Sequence, residues 1–206
     1  MAQIQSTVPD NLSFLSPTGF KFSVQKLPHV NYFCTSASIP DITLGQVDQD
    51  NVFIKIPVPG DKLAYAPLTM DFMVDENLEN YREIHGWLIG LGFPTKHSEY
   101  TNLVSSGTDR FPISTVSSSA TDPGSVSKHT VDQGPILSDA TLTILTSKNN
   151  PTLEVRFKDI YPTALSGLSY DQQASDVTYL TADVTFSYLI YEFATAGSPR
   201  TTVTTS

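Results

Sequence analysis

Between Leu68 and Leu91 the hydrophobic period of this chain changes from two to about 3.6 within a few residues, and such a strand-to-helix unit implies a sheet with one dry and one wet face. Leu68, Met70, Phe72 and Val74 alternate with Thr69, Asp71, Met73 and Asp75, as an antiparallel strand with one dry and one wet face requires. Helical spacing follows directly. Leu78, Tyr81, Ile84, Leu88 and Leu91 recur at threes and fours with Trp87 beside them, which predicts a helix over about 76–91 that lays this stripe on a sheet. Asp75 or Asn77 caps its start, Glu76 and Glu79 lie near its positive end, and Gly90, Gly92 and Pro94 stop it. The wet strand face, with its carboxylates, needs a separate explanation.

Period two recurs near Phe20–Lys26, Val30–Ala37, Val52–Val58, Thr141–Thr146, Leu153–Asp159 and, most clearly, Tyr179–Phe193. In that last run Leu180, Ala182, Val184, Phe186, Tyr188 and Ile190 alternate with Thr181, Asp183, Thr185 and Ser187. The expected fold is mainly β: an antiparallel β-sandwich or barrel with one flanking α-helix and a long Ser/Thr-rich loop. Pro57 and Pro59 cannot donate to a ladder, so the 52–58 strand ends there or lies at an edge. Gly60-Asp61-Lys62 reads as a turn, Ile42–Asn51 as a polar loop, and Asn149-Asn150-Pro151 as a hairpin connection. From Thr95 to Pro135 serine, threonine, glycine and proline dominate, and this insertion is expected to be flexible until a partner orders it. The tail 194–206 reads as a second flexible end. Residues 1–206 thus form one expected domain, and a chain of 206 residues buries about 70% of its unfolded surface without help from disulfides or metals.

Charge narrows the function. With 21 acidic against 12 basic residues and a net charge of -9, the surface repels nucleic acid, which excludes a phosphate-gripping role but suits one that lets DNA pass without sticking. Cys34 is the single cysteine, and its strand-like surroundings favour a small buried hydrophobe over a reactive thiol. There is neither an apolar run long enough to span a membrane nor a basic, apolar start, so the expectation is a soluble protein made in a cytoplasm, without membrane anchoring.

No catalytic constellation is visible. His29, His85, His97 and His129 form no pair at metal-ligand spacing, and His85, beside the helical stripe, reads as a packed or half-exposed residue rather than a general base. No nucleophile elbow, phosphate-binding loop or dinucleotide fingerprint occurs. Asp48 and Asp50 read as loop residues rather than calcium ligands, and Asn11-Leu12-Ser13 matches a glycosylation acceptor by pattern alone. The expectation is a protein that is not an enzyme and has no catalytic residues, metal or cofactor.

Val58-Pro59-Gly60-Asp61-Lys62, the strand Leu68–Val74, the acidic helix start at Asp75-Glu76 and Asn80-Tyr81 through Trp87 resemble the tail tube protein family of contractile, T4-like phages, whose module is shared with baseplate tube initiators. The likeness continues through Asp139–Thr146, Leu153–Ile160, Tyr161-Pro162, the turn at Leu168–Asp171 and a closing strand at Val177–Phe193.

The resemblance implies a virion protein assembled as a homo-oligomer into sixfold rings. These stack into the inner tube of a contractile tail, with sheath and baseplate or terminator proteins as partners and DNA in transient, non-specific passage during ejection. It implies that Thr69, Asp71, Thr181, Asp183, Thr185 and Ser187 line the lumen, while Leu78, Tyr81, Ile84, Trp87, Leu88 and Leu91 pack the helix. The 95–135 insertion departs from the family pattern and suggests decoration, a specialised stacking surface or contact with another tail protein. Two alternatives stay open: a tube initiator or end cap with the same fold, and a glycan-binding β-sandwich adhesin using Tyr65, Tyr100 and Tyr170. A hydrolase with dispersed residues is a more distant third.

Overall fold

The structure, a computed structural model, describes residues 14–51, 53–105, 136–172 and 179–198. Its strands are β1 (Phe20–Val24), β2 (Cys34–Ala37), β3 (Ile42–Asp50), β4 (Lys55–Tyr65), β5 (Leu68–Met73), β6 (Ser138–Leu145), β7 (Pro151–Leu165), β8 (Thr181–Ser187) and β9 (Ile190–Thr195). Three helices join them: α1 (Pro28–Tyr32), α2 (Glu79–Gly92) and α3 (His97–Ser105). The architecture is mainly β and antiparallel. Hydrogen bonding runs in the order β1-β6-β7-β8-β5-β2, with β9 also on β7 and with β3 and β4 paired only to each other.

β7, at 15 residues, is shared by two sheets. Its first part carries β6 on one side and β9 on the other, and Tyr161–Leu165 pairs with β8. Asp159 sits between the halves in left-handed backbone, φ 55°. Its N–H donates to the Asp139 carboxylate at 3.4 Å, and the β6 register slips there. A bulge of this kind bends a strand and increases its twist.

The core lies between the sheets and α2. Phe22, Val24, Leu68, Met70, Phe72, Val155, Phe157, Val184 and Phe186 come from strands, Leu27 and Val30 from the β1–β2 connection, and Ile84 and Trp87 from α2.

Several sequence expectations need correction. Val30–Ala37 is not one strand: Pro28, whose ring presets a helical φ, opens α1, and only Cys34–Ala37 is extended. Asn31 then uses its side chain as a strand partner, accepting from the Val24 N–H at 2.6 Å and donating to the Val24 carbonyl at 3.0 Å. The run Tyr179–Phe193 lies along β7 but breaks at Tyr188-Leu189, and the alternation slips by one residue. Tyr191 and Phe193, not Ile190, stand opposite the core residues Phe157 and Val155.

The main helix begins at Glu79 rather than near 76. Leu78 takes a left-handed conformation, φ 58°, after a turn closed by its N–H on the Asp75 carbonyl. Ile42–Asp50 is a strand and not a loop, and Gly60-Asp61-Lys62 is not a turn but lies inside β4. α3 occupies the start of the segment expected to be structureless, and 106–135 lies outside the described residues. β9 extends into the expected tail, and Ser198 is held by Arg156, whose guanidinium donates to its carbonyl at 2.5 Å; 199–206 lies outside the described residues.

Candidate functional site: a wet sheet face and a projecting ribbon

β5 and β8 pair in a register that sorts their side chains cleanly. Leu68 lies opposite Phe186, Met70 opposite Val184 and Phe72 opposite Ala182, and all six are buried. The intervening pairs, Thr69 with Thr185 and Asp71 with Asp183, fall on the other face, as does Thr181 opposite Met73. Thr69, Thr181 and Asp183 are exposed, while Asp71, Thr185 and Ser187 are half-buried. All six proposed lumen residues therefore share one face of a single strand pair.

Hydroxyls extend that face sideways. Thr35 donates to the Asp71 carbonyl at 3.2 Å, Thr163 donates to the Thr185 carbonyl at 3.1 Å, and the Ser38 and Thr69 hydroxyls lie 3.0 Å apart. Neither β2, β5, β8 nor the Tyr161–Leu165 end of β7 contains lysine or arginine. Like charges placed directly opposite, as at Asp71 and Asp183, cost a few tenths of a kcal/mol to about 1 kcal/mol. These strands supply no lysine or arginine to offset that cost.

α2 backs the opposite, dry side of the body. Ile84 and Trp87 are buried, with the Trp87 indole N–H donating to the Ile136 carbonyl at 2.9 Å. Tyr81, Leu88 and Leu91 are half-buried against the same core, and the Tyr81 hydroxyl donates to the Ser166 carbonyl at 2.9 Å. Leu78 precedes the helix instead of packing from it, and His85 is exposed. Two packing residues escaped the sequence reading. Gly90 is buried because α3 crosses it so closely that a Cβ would meet Leu103 at 3.0 Å. Asn80 is fully buried; it donates to the Met73 carbonyl at 2.7 Å and accepts from the N–H groups of Asp75 at 3.2 Å and Tyr81 at 2.8 Å. It thereby joins the end of β5 to the start of α2.

The ribbon made by β3 and β4 behaves differently. Its apolar residues are uncovered: Leu44 is 53% exposed, Val47 65%, Val58 40%, Leu63 55% and, at the tip, Phe53 91%. Isolated two-stranded hairpins are marginal in water, and nine residues of β3 reach roughly 30 Å at the usual strand rise. Its root is fixed. The Tyr188 hydroxyl donates to the Ala66 carbonyl at 2.8 Å and that of Tyr191 to the Pro40 carbonyl at 3.2 Å, while the Tyr65 ring packs edge-on against both rings. Burial, with Tyr191 and Tyr65 as neighbours, pushes the Tyr188 phenol up to about 12, so it remains a donor at neutral pH. Pro57 and Pro59 called for a strand end or an edge, and the structure gives the edge: β4 continues through them with one side unpaired, where missing donors are tolerated.

Among the described residues no group of three or more His, Cys, Asp or Glu side chains is placed to hold a metal ion, and no helix is long and apolar enough to cross a membrane. Burial pushes the half-buried Cys34 thiol up to about 11, which keeps it protonated at neutral pH. His29 is raised from its ordinary value by its hydrogen bond to Glu83 and then by that carboxylate's charge, and the pair ties α1 to α2.

The family model described as phage tail tube protein matches residues 3–194. Among solved structures, the tube terminating cap of the anti-feeding prophage is similar at 16% identity and TM-score 0.50, over 95% of this chain and 100% of that one. A chain of the sheath-tube complex of an extracellular contractile injection system is similar at 14% identity and TM-score 0.46, over 88% and 92%. Hcp1 from Salmonella typhimurium is similar at 10% identity and TM-score 0.37, over 88% and 90%. No curated protein matches the sequence.

Proposed function

We propose that this chain, which belongs to the phage tail tube protein family, is a structural subunit whose copies close into rings, six to a ring, that stack into the inner tube of a contractile tail. The observation that carries this reading is the β3–β4 ribbon, an anchored projection whose apolar side chains find no cover on their own body. Contiguous exposed apolar surface on a soluble chain marks a contact. A projection that meets a different surface on the next copy makes a heterologous contact, the kind that generates closed rings.

The wet face of β5 and β8 then lines the bore. Thr69, Asp71, Thr181, Asp183, Thr185 and Ser187 present hydroxyls and carboxylates to passing DNA. Phosphate contacts with lysine and arginine supply nearly all non-specific affinity for nucleic acid, so a bore without either lets the strand slide. The role is structural, in a virion, with sheath and baseplate or terminator proteins as neighbours.

The test is to concentrate the full-length protein and examine it by negative-stain electron microscopy with light scattering. Stacked annular tubes are expected. Single rings that never grow would replace the tube with an end cap or initiator, and a monomer at every concentration would overturn self-assembly.

A further inference from the structure

Resting on the assembly reading above, we infer that the ribbon docks on two different neighbouring copies of this chain, its root half through one face and its distal half through the opposite face. The register supports the division. Near the root Ile42 pairs with Tyr65 and Leu44 with Leu63; beyond the irregularity Gln46 pairs with Pro59, Val47 with Val58, Asp48 with Pro57 and Gln49 with Ile56. Side chains alternate sides along a strand, and paired residues share a side. Between Leu44 and Gln46 β3 advances two residues while β4 advances four, from Leu63 to Pro59, so the excess is even and the sides do not exchange. Leu44 and Leu63 therefore lie on the side of Gln46, Asp48 and Asp50, whereas Val47, Ile56 and Val58 lie on the other.

Each half thus has one dry side, and the dry side changes where the backbones meet at Gly45 and Gly60. A Cβ on Gly60 would lie 2.6 Å from the Gly45 carbonyl oxygen, so the crossing depends on glycine. One flat partner surface that covers Leu44 and Leu63 leaves Val47 and Val58 in water. On the β4 edge, Pro57 and Pro59, two apart, lack donors and disfavour strand addition along that stretch.

The partner surfaces are supplied by the chain itself. At its root the ribbon's dry side joins a line of ring contacts from Tyr65 through Tyr191 to Phe193. Phe193 is 59% exposed and Leu189 66%, apolar surface on the body that every further copy also carries. Contact with a ring neighbour through one side leaves the other side free for the adjoining ring.

The experiment compares full-length wild type with Leu44→Glu/Leu63→Glu and with Val47→Glu/Val58→Glu, by sedimentation velocity and negative-stain microscopy. Thermal unfolding of the body serves as the folding control, since these side chains are already exposed. The expected result is loss of tubes in both variants, with closed rings surviving in only one. If both stop at the same stage, or both form tubes, the two-sided docking is wrong although assembly stands. A wild type that stays monomeric overturns the assembly reading and the docking together.

Discussion

The β5–β8 pair of the body and the β3–β4 ribbon follow the same period-two rule and end in opposite states. In the first, Leu68, Met70, Phe72, Val184 and Phe186 are buried to within about a hundredth of their surface; in the second, Leu44, Val47 and Leu63 keep more than half of theirs in water. Both alternate dry and wet residues, so alternation reports the strand and not its burial. What differs is cover. α2 and the second sheet close over β5 and β8, whereas no other element of the described chain pairs with the ribbon.

The sharpest way to break this comparison is to truncate one large side chain in each region. Trp87→Ala removes buried ring volume and the donor to the Ile136 carbonyl, and should cost the monomer about 3–5 kcal/mol in denaturant unfolding. Leu63→Ala in the ribbon should stay within about 0.5 kcal/mol. Equal losses would mean that the monomer already buries its ribbon.

Asn80→Ala tests the polar joint between β5 and α2. It strands the Met73 carbonyl and the Asp75 N–H in a buried setting, and about 1–3 kcal/mol should be lost. A neutral result would show that water substitutes there.

Tyr188→Phe acts on the junction of the two regions. Losing the bond to the Ala66 carbonyl should cost about 1 kcal/mol, and amide exchange should quicken at Asp41–Leu44 and Leu63–Ala66 while the β5–β8 amides stay protected. In the wild type the phenol is raised from 10.0 to about 12. The stabilisation is therefore complete below pH 10 and is lost as pH rises through the folded value; an alkaline unfolding series should show this and Tyr188→Phe should flatten it.

The smallest effect belongs to His29. Its folded value is raised by Glu83, so its contribution is complete below the ordinary value of 6.5 and fades as pH rises through the raised one. His29→Gln should remove that slope in melting temperature between mildly acidic and mildly alkaline buffer, and an unchanged slope would discard the α1–α2 tie.

Much of the body was legible in the sequence because its elements meet one dry surface each. Phe20–Val24, Leu68–Met73 and Thr181–Ser187 display that surface at period two, and α2 displays Ile84 and Trp87 at helical spacing. Asn80 escaped because a buried amide has no hydrophobic signature; its value lies in three backbone partners that only the fold brings within reach. The slip at Tyr188-Leu189 escaped because one residue of irregularity is invisible without the opposing strand. The ribbon was legible only in part: Pro57 and Pro59 allowed an edge strand, which β4 is, but the polar run Ile42–Asp50 and Gly60-Asp61-Lys62 read as loop and turn because nothing local shows that a strand with a free edge continues through them.

Local side-chain periodicity is a property of the chain, so the sequence by itself determined the antiparallel β character, the single long helix, the absence of cations from the β5 and β8 wet face, and the family. Tertiary structure decided which dry faces are covered, where β7 bends to serve two sheets, and that Ile42–Tyr65 stands out as a ribbon with opposite dry sides in its two halves. Those outcomes depend on contacts between residues far apart in the chain, and their energy comes from surfaces that exist only after the strands have paired.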